Sequence, residues 1–171
     1  MTGRSASRSS TPSRPGGDGR RLVKVGPARR DEAFALLRHL RPTLTPADLA
    51  DALRRGSRAH RLGYRLFGVE IDERLVALAG ARPLVTLARG RHLHIDDLVV
   101  DPAWRRRGVG RFLLEEIEKR ARRQGLGAIH LDSFLEAVPF YEALGFGTMS
   151  CRAVVKRLSP AVEGDPGKAS V

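Results

Sequence analysis

The stretch Asp101-Pro102-Ala103-Trp104-Arg105-Arg106-Arg107-Gly108-Val109-Gly110-Arg111-Phe112 decides the fold, because one pattern stops in it and another starts. Ahead of it, His92 to Val100 reads as an apolar strand that ends at Asp101-Pro102. Behind it, Val109, Phe112, Leu113, Ile117 and Ala121 recur at helical spacing, with Glu115, Glu116, Glu118 and Lys119 largely elsewhere, which predicts a helix from Gly108 to about Arg123. The turn between them therefore sits at a helix N-terminus. Amide groups of the first helical turn have no intrahelical acceptor, and the helix dipole adds about half a positive charge there, so an anion is favoured. Gly108 and Gly110 let the backbone close on a phosphate with no Cβ in the way, and the arginines add planar donors. Taken alone, Arg105 to Arg107 read equally well as a solvated basic turn. No Gly-Lys-Ser/Thr follows, so this is not a Walker A loop, and two glycines do not complete a dinucleotide fingerprint.

Working outward, Gly125 and Gly127 stop the helix, and Ala128 to Asp132 reads as a buried strand, parallel to His92–Val100 through a right-handed crossover. A short helix over Val138 to Leu144 and a last strand over roughly Thr148 to Lys156 follow. Upstream, a strand at Leu22 to Val25 precedes a helix carrying Ala33, Phe34, Leu36, Leu37 and Leu40, ended by Pro42. Thr45-Pro46 caps and opens a second helix through Leu49, Ala52 and Leu53 to near Gly63. Tyr64 to Ile71 and Leu75 to Leu87 read as strands joined by a hairpin turn at Asp72-Glu73. Residues 1–20 read as a disordered basic tail, 21–158 as one domain, and 159–171 as a second disordered tail.

The net charge of +12 is unevenly spread. Residues 1–30 hold eight basic residues against Asp18 alone, so seven of the twelve charges sit at that end and the body is only moderately basic. No aromatic residues interleave the basic ones of the tail, which argues against a nucleic-acid partner. No apolar run approaches the ~20 residues that span a bilayer, so no membrane partner is expected. Cys151 is the single cysteine, which excludes an intrachain disulfide and a cysteine-based zinc site; it reads as a buried strand residue. The first residues lack the apolar segment of a secretory signal, and the expected location is cytoplasmic.

Three segments agree in order and spacing with one family. Ile95-Asp96-Asp97-Leu98-Val99-Val100-Asp101-Pro102, then Arg105-x-x-Gly108-x-Gly110, then Phe140-Tyr141-Glu142-Ala143-Leu144-Gly145-Phe146, together resemble the GNAT family of N-acetyltransferases. The resemblance implies an α+β, three-layer α/β/α fold whose mixed, mostly antiparallel sheet has a central splayed pair of parallel strands. It also implies acetyl-CoA as co-substrate and no metal. On the family's pattern, backbone groups of Leu98, Val99 and Val100 pair with the pantetheine arm, and the segment Arg105, Arg106, Arg107, Gly108, Val109, Gly110, Arg111 holds the pyrophosphate. The amide of Val99 supports the developing oxyanion.

Amine acetylation needs a neutral nucleophile, and an alkyl ammonium with a pKa near ~10.4 must first lose a proton. Asp96 and Asp97 are the candidate bases; strict strand alternation puts them on opposite faces, so only one meets the cleft. His94-Ile95-Asp96-Asp97 resembles the corresponding segment of amino-sugar-phosphate acetyltransferases. Tyr141 is the candidate acid for the leaving thiolate, with Phe140 as packing. Many members carry an Asn shortly before this Tyr, whereas here the run is Phe134-Leu135-Glu136-Ala137. His92 and His94 share a strand face but lack a third ligand, and read as edge residues of the acceptor cleft. The acceptor is expected against the first two helices, where Arg38, Arg41, Arg54, Arg55, Arg58 and Arg61 outnumber Asp48 and Asp51, which favours an anionic small-molecule amine. A protein lysine or N-terminal amine is the alternative acceptor, a non-catalytic nucleic-acid-binding module is a further one, and the chain is expected as a monomer or homodimer.

Overall fold

The structure is a computed structural model that describes residues 19–58, 63–150, 154 and 156. Its elements are β1 (Arg21–Lys24), α1 (Arg30–Leu37), α2 (Pro46–Arg58), β2 (Arg65–Ile71), β3 (Arg74–Thr86), β4 (Gly90–Val100), α3 (Val109–Arg123), β5 (Ala128–Leu131) and α4 (Val138–Glu142). The strands form one sheet in sequence order, antiparallel throughout except for the parallel pair β4 and β5. Asp72 (φ 47°) and Glu73 (φ 63°) both take left-handed backbone between β2 and β3, the geometry a two-residue hairpin requires. Asp72 has the short polar side chain that tolerates this backbone, whereas Glu73 takes it without that help.

Helices cover both faces of the sheet. On one, Val109, Leu113, Leu114, Ile117 and Ala121 of α3 pack on Phe67, Val69, Ala79, Leu93 and Ile95. Leu113 and Ile117 are fully buried, each stabilising the fold by about 2 kcal/mol on the usual burial scale. On the other face, Leu36 and Leu37 of α1 and Leu49 of α2 pack on Leu66, Leu75, Leu78 and Val99. The start of α2 is capped reciprocally: the Asp48 amide donates to Thr45 Oγ1 (3.2 Å), and the Thr45 amide donates to Asp48 Oδ2 (3.0 Å). Such a cap contributes about 1 kcal/mol.

Three sequence expectations need correction. The strand β5 is half-buried along its whole length rather than buried, because it is the last strand of the described sheet and has a neighbour on one side only. The apolar stripe of α3 also includes Leu114, which the 3.6-residue pattern left out. Of the strand expected over residues 148–156, the described residues 148–150, 154 and 156 are not strand, and 151–153 and 155, Cys151 among them, lie outside the described residues. Both expected tails and the end of α2 near Gly63 also fall mainly outside them.

One detail of the sheet positions the site. Ile95 of β4 pairs with Leu131 of β5, where β5 ends, while β4 runs on to Val100. That edge of β4 is left open to a ligand beyond Ile95, which is the splay.

Candidate active site

A cavity of about 960 Å³ opens at the splay, bounded by β4, the turn before α3, the start of α4 and the segment after α1. Leu98, Val99 and Val100 form one side of it. At its end stands the arginine and glycine turn. Gly108 has φ 75°, a left-handed conformation that lets the chain reverse into α3. Gly110 serves closeness instead: a Cβ there would lie 3.3 Å from Phe140 Cζ and 3.5 Å from Val100 Cγ2, so the ring would have to give way. Arg105, Arg106, Gly108, Val109, Gly110 and Arg111 all face the cavity.

Arg107 does not join them. Its guanidinium lies 5.2 Å over the Trp104 ring, and its carbonyl accepts a hydrogen bond from Arg20 Nη2 (2.6 Å). Arg105 partly ties the turn to the strand, donating from Nε to the carbonyl of Val100 (3.2 Å).

Across the cleft, Tyr141 is wedged between Phe140 (5.1 Å between ring centroids) and Phe146 (5.7 Å) and faces the cavity. Burial pushes its phenol above the ordinary tyrosine range, so it keeps its proton at neutral pH. Phe140 packs on Tyr141, lines the cavity and is partly exposed. Phe134 and Ala137, from the run that precedes Tyr141, also line the cavity.

The two carboxylates sit at an irregularity of the sheet. The register slips between Gly80 and Ala81, where Gly80 pairs with Asp97 and Ala81 with Ile95, so Asp96 is the extra residue of a β-bulge. Asp96 then shares the side of His94, whose Nε2 is 3.6 Å from its Oδ1. It lines the cavity and is gripped by Arg82 through Nη2 to Oδ1 (2.8 Å) and Nε to Oδ2 (2.9 Å). Asp97 is buried behind the cleft wall instead, accepting from Arg41 Nε (2.7 Å) and Tyr64 Oη (2.5 Å). Burial, then the charge of Asp97, holds the Tyr64 phenol far above its ordinary range. The bulge interrupts the strict alternation on which the expectation of opposite faces rested, and of the two carboxylates Asp96 is the one that lines the cavity.

The histidines separate as well. His94 lines the cavity, whereas His92 is buried, its ring edge-on to His130 at 4.9 Å. Burial, followed by the charges of Arg89, His92 and His94, lowers the pKa of His130. Among the described residues, no three His, Cys, Asp or Glu side chains are grouped to hold a metal ion.

The basic rim is only partly available. Arg41 is committed to Asp97 and Arg54 pairs with Asp51, while the side chains of Arg55 and Arg58, and Arg61 altogether, lie outside the described residues. His39, Leu40 and Arg41 form the cleft wall on this side. Arg41, Tyr64, Gly80 and Arg82 are partners that sequence reasoning missed or placed elsewhere. Gly80 alone gave a signal, a glycine inside an apolar strand where another group comes close.

Comparison with known proteins bears on what this cleft takes. The model of the acetyltransferase (GNAT) family matches residues 31–146. An uncharacterised N-acetyltransferase of Bacillus subtilis (strain 168), YhdJ, is 34% identical over 120 residues, covering 67% of this chain and 82% of that protein. A glucosamine 6-phosphate N-acetyltransferase of Trypanosoma brucei brucei is 34% identical over 102 residues, covering 58% and 67%. The crystal structure of an acetyltransferase of Trypanosoma brucei superposes with a TM-score of 0.67 at 28% identity, covering 81% of this chain and 99% of that one.

Proposed function

The chain belongs to the acetyltransferase (GNAT) family, and we propose that it moves acetyl from acetyl-CoA directly to the primary amine of a small anionic molecule of the amino-sugar-phosphate type. The observation that carries this reading is a single cleft joining three things: the glycine turn of α3, the open edge of β4, and Tyr141. Acetyl-CoA is the co-substrate of the family and supplies an activated acyl thioester with a pyrophosphate-bearing tail. The residues present fit that tail, because the gap at Gly110 is one a Cβ would fill and the turn presents first-turn amides beside Arg105, Arg106 and Arg111.

Leu98, Val99 and Val100 offer backbone groups along the unpaired edge of β4, where an extended acyl carrier can add as a strand would. Tyr141 gives its proton to the departing thiolate, a role that burial supports by keeping the phenol neutral. Asp96 meets the acceptor's ammonium and takes part in its deprotonation, with Arg82 fixing the carboxylate and His94 beside it.

Two observations support an anionic acceptor. Asp48 and Asp51 on the acceptor side are engaged with Thr45 and Arg54, whereas Arg38 is exposed and His39 lines the wall. A relative 34% identical to this chain is a glucosamine 6-phosphate N-acetyltransferase. The test is release of free thiol from acetyl-CoA with glucosamine 6-phosphate, glucosamine and spermidine as acceptors. Glucosamine 6-phosphate should exceed both others in kcat/KM by about tenfold or more, the value of one charge-assisted contact. Efficient turnover of spermidine with none of the phosphorylated sugar overturns the reading.

A further inference from the structure

Three stretches far apart in sequence meet at one buried carboxylate. Arg41, in the segment between α1 and α2, donates from Nε to Asp97 Oδ1 at 2.7 Å, and its Nη2 approaches the carbonyl of Asp96 at 3.4 Å. Tyr64, just before β2, donates from Oη to Asp97 Oδ2 at 2.5 Å. The third participant is an empty place. A Cβ on Gly80, the residue paired with Asp97 across the sheet, would stand 1.9 Å from Tyr64 Oη, so the phenol reaches the carboxylate only because position 80 has no side chain.

This arrangement does not suit a base. Each Asp97 oxygen already accepts from a neighbour, and the side chain does not line the cavity. It does suit a tether. Arg41 belongs to the His39-Leu40-Arg41 wall, and its guanidinium is tied to the bulge that presents Asp96. Asp97 is buried while Arg41 is partly exposed, so removing the arginine or the phenol leaves a buried carboxylate short of a partner, which is costlier than losing a surface pair.

We propose that Asp97 is a positioning residue. With Arg41, Tyr64 and the gap at Gly80 it forms a latch that holds the acceptor wall at a fixed distance from the bulge carrying Asp96. The latch acts on the acceptor half of the cleft alone, and this inference rests on the reading of that half given above.

The test combines one measurement that needs no acceptor with one that does. Asp97→Asn and Tyr64→Phe keep side-chain volume, and Gly80→Ala displaces the phenol without altering either donor residue itself. In each variant, amide hydrogen exchange over residues 38–45 should quicken about tenfold or more, while exchange over 105–115 and the Kd for acetyl-CoA should stay within about twofold. With the amine turned over by the wild type, the acceptor KM should rise about tenfold and kcat fall less than about threefold, the pattern of lost binding rather than lost chemistry. Unchanged exchange over 38–45 in Tyr64→Phe and Gly80→Ala would refute the latch, whatever the acceptor is. A drop in kcat of Asp97→Asn of about a hundredfold at unchanged KM, with loss of the acidic limb of the pH profile, would show Asp97 to be the base instead.

Discussion

The cofactor half and the acceptor half of this cleft are built by opposite means. The half proposed for acetyl-CoA is one run of chain, Leu98 to Arg111, whose contribution is backbone amides and the absence of two side chains. The acceptor half is assembled from residues 39–41, 64, 80, 82 and 94–97, and works through side-chain charges that must find one another. A backbone site tolerates change in its neighbours but not at its glycines. A side-chain site fails in proportion to the partner removed.

That contrast predicts separable defects. The largest should come from Gly110→Val, whose side chain would enter the space held by Phe140 and Val100: the Kd for acetyl-CoA should rise at least about a hundredfold in calorimetric titration. Tyr141→Phe should lower kcat by about a hundredfold, with acetyl-CoA affinity within about twofold, as measured by single-turnover thiol release. Asp96→Asn should lower kcat/KM for the acceptor by about thirtyfold and leave acetyl-CoA binding unchanged; a matching loss of acetyl-CoA affinity would dissolve the division between the halves.

The pH profile sharpens the same division. In its proposed role Tyr141 must be protonated, and burial raises its pKa, so ionisation of this phenol should not reduce kcat until the pH passes above the ordinary value near ~10. An alkaline limb at neutral pH that vanishes in Tyr141→Phe would contradict this. The smallest effect lies outside both halves. Glu70, paired with Arg21 and Arg29, is held below its ordinary pKa first by the Arg21 hydrogen bond. Its folded-state value is depressed, so its stabilisation is present above the ordinary glutamate range and fades as pH falls through the lowered value. Glu70→Gln should therefore be less stable than the wild type at neutral pH, with the gap closing in acid, and acetyl-CoA affinity should be untouched.

The same contrast explains what could be read in advance. The α3 turn was legible because a helix N-terminus, glycines and arginines are contiguous, and a short window displays all three. The order of strands and helices was legible because Pro42, Pro46, Gly125 and Gly127 punctuate strong periodicities. The division of labour between Asp96 and Asp97 was not, since it turns on a bulge created by pairing with a strand about sixteen residues away, and alternation carries no mark of it. Arg41 and Tyr64 were hidden for a related reason: their meeting at Asp97 spans 56 and 33 residues of sequence. Of Arg105 to Arg107, the side chain that turns away does so onto Trp104, a neighbour whose role no spacing rule reveals.

The account depends most on the turn at Gly108, and calorimetric titration of acetyl-CoA against wild type, Gly108→Glu and Gly108→Asn tests it directly. Asn tolerates the left-handed backbone at φ 75° and is the control for strain. The wild type should bind, Gly108→Asn should lose less than about tenfold, and Gly108→Glu, which sets a carboxylate against the phosphate site, should lose at least about a hundredfold. Equal binding by wild type and Gly108→Glu, or no binding by the wild type, would contradict the assignment.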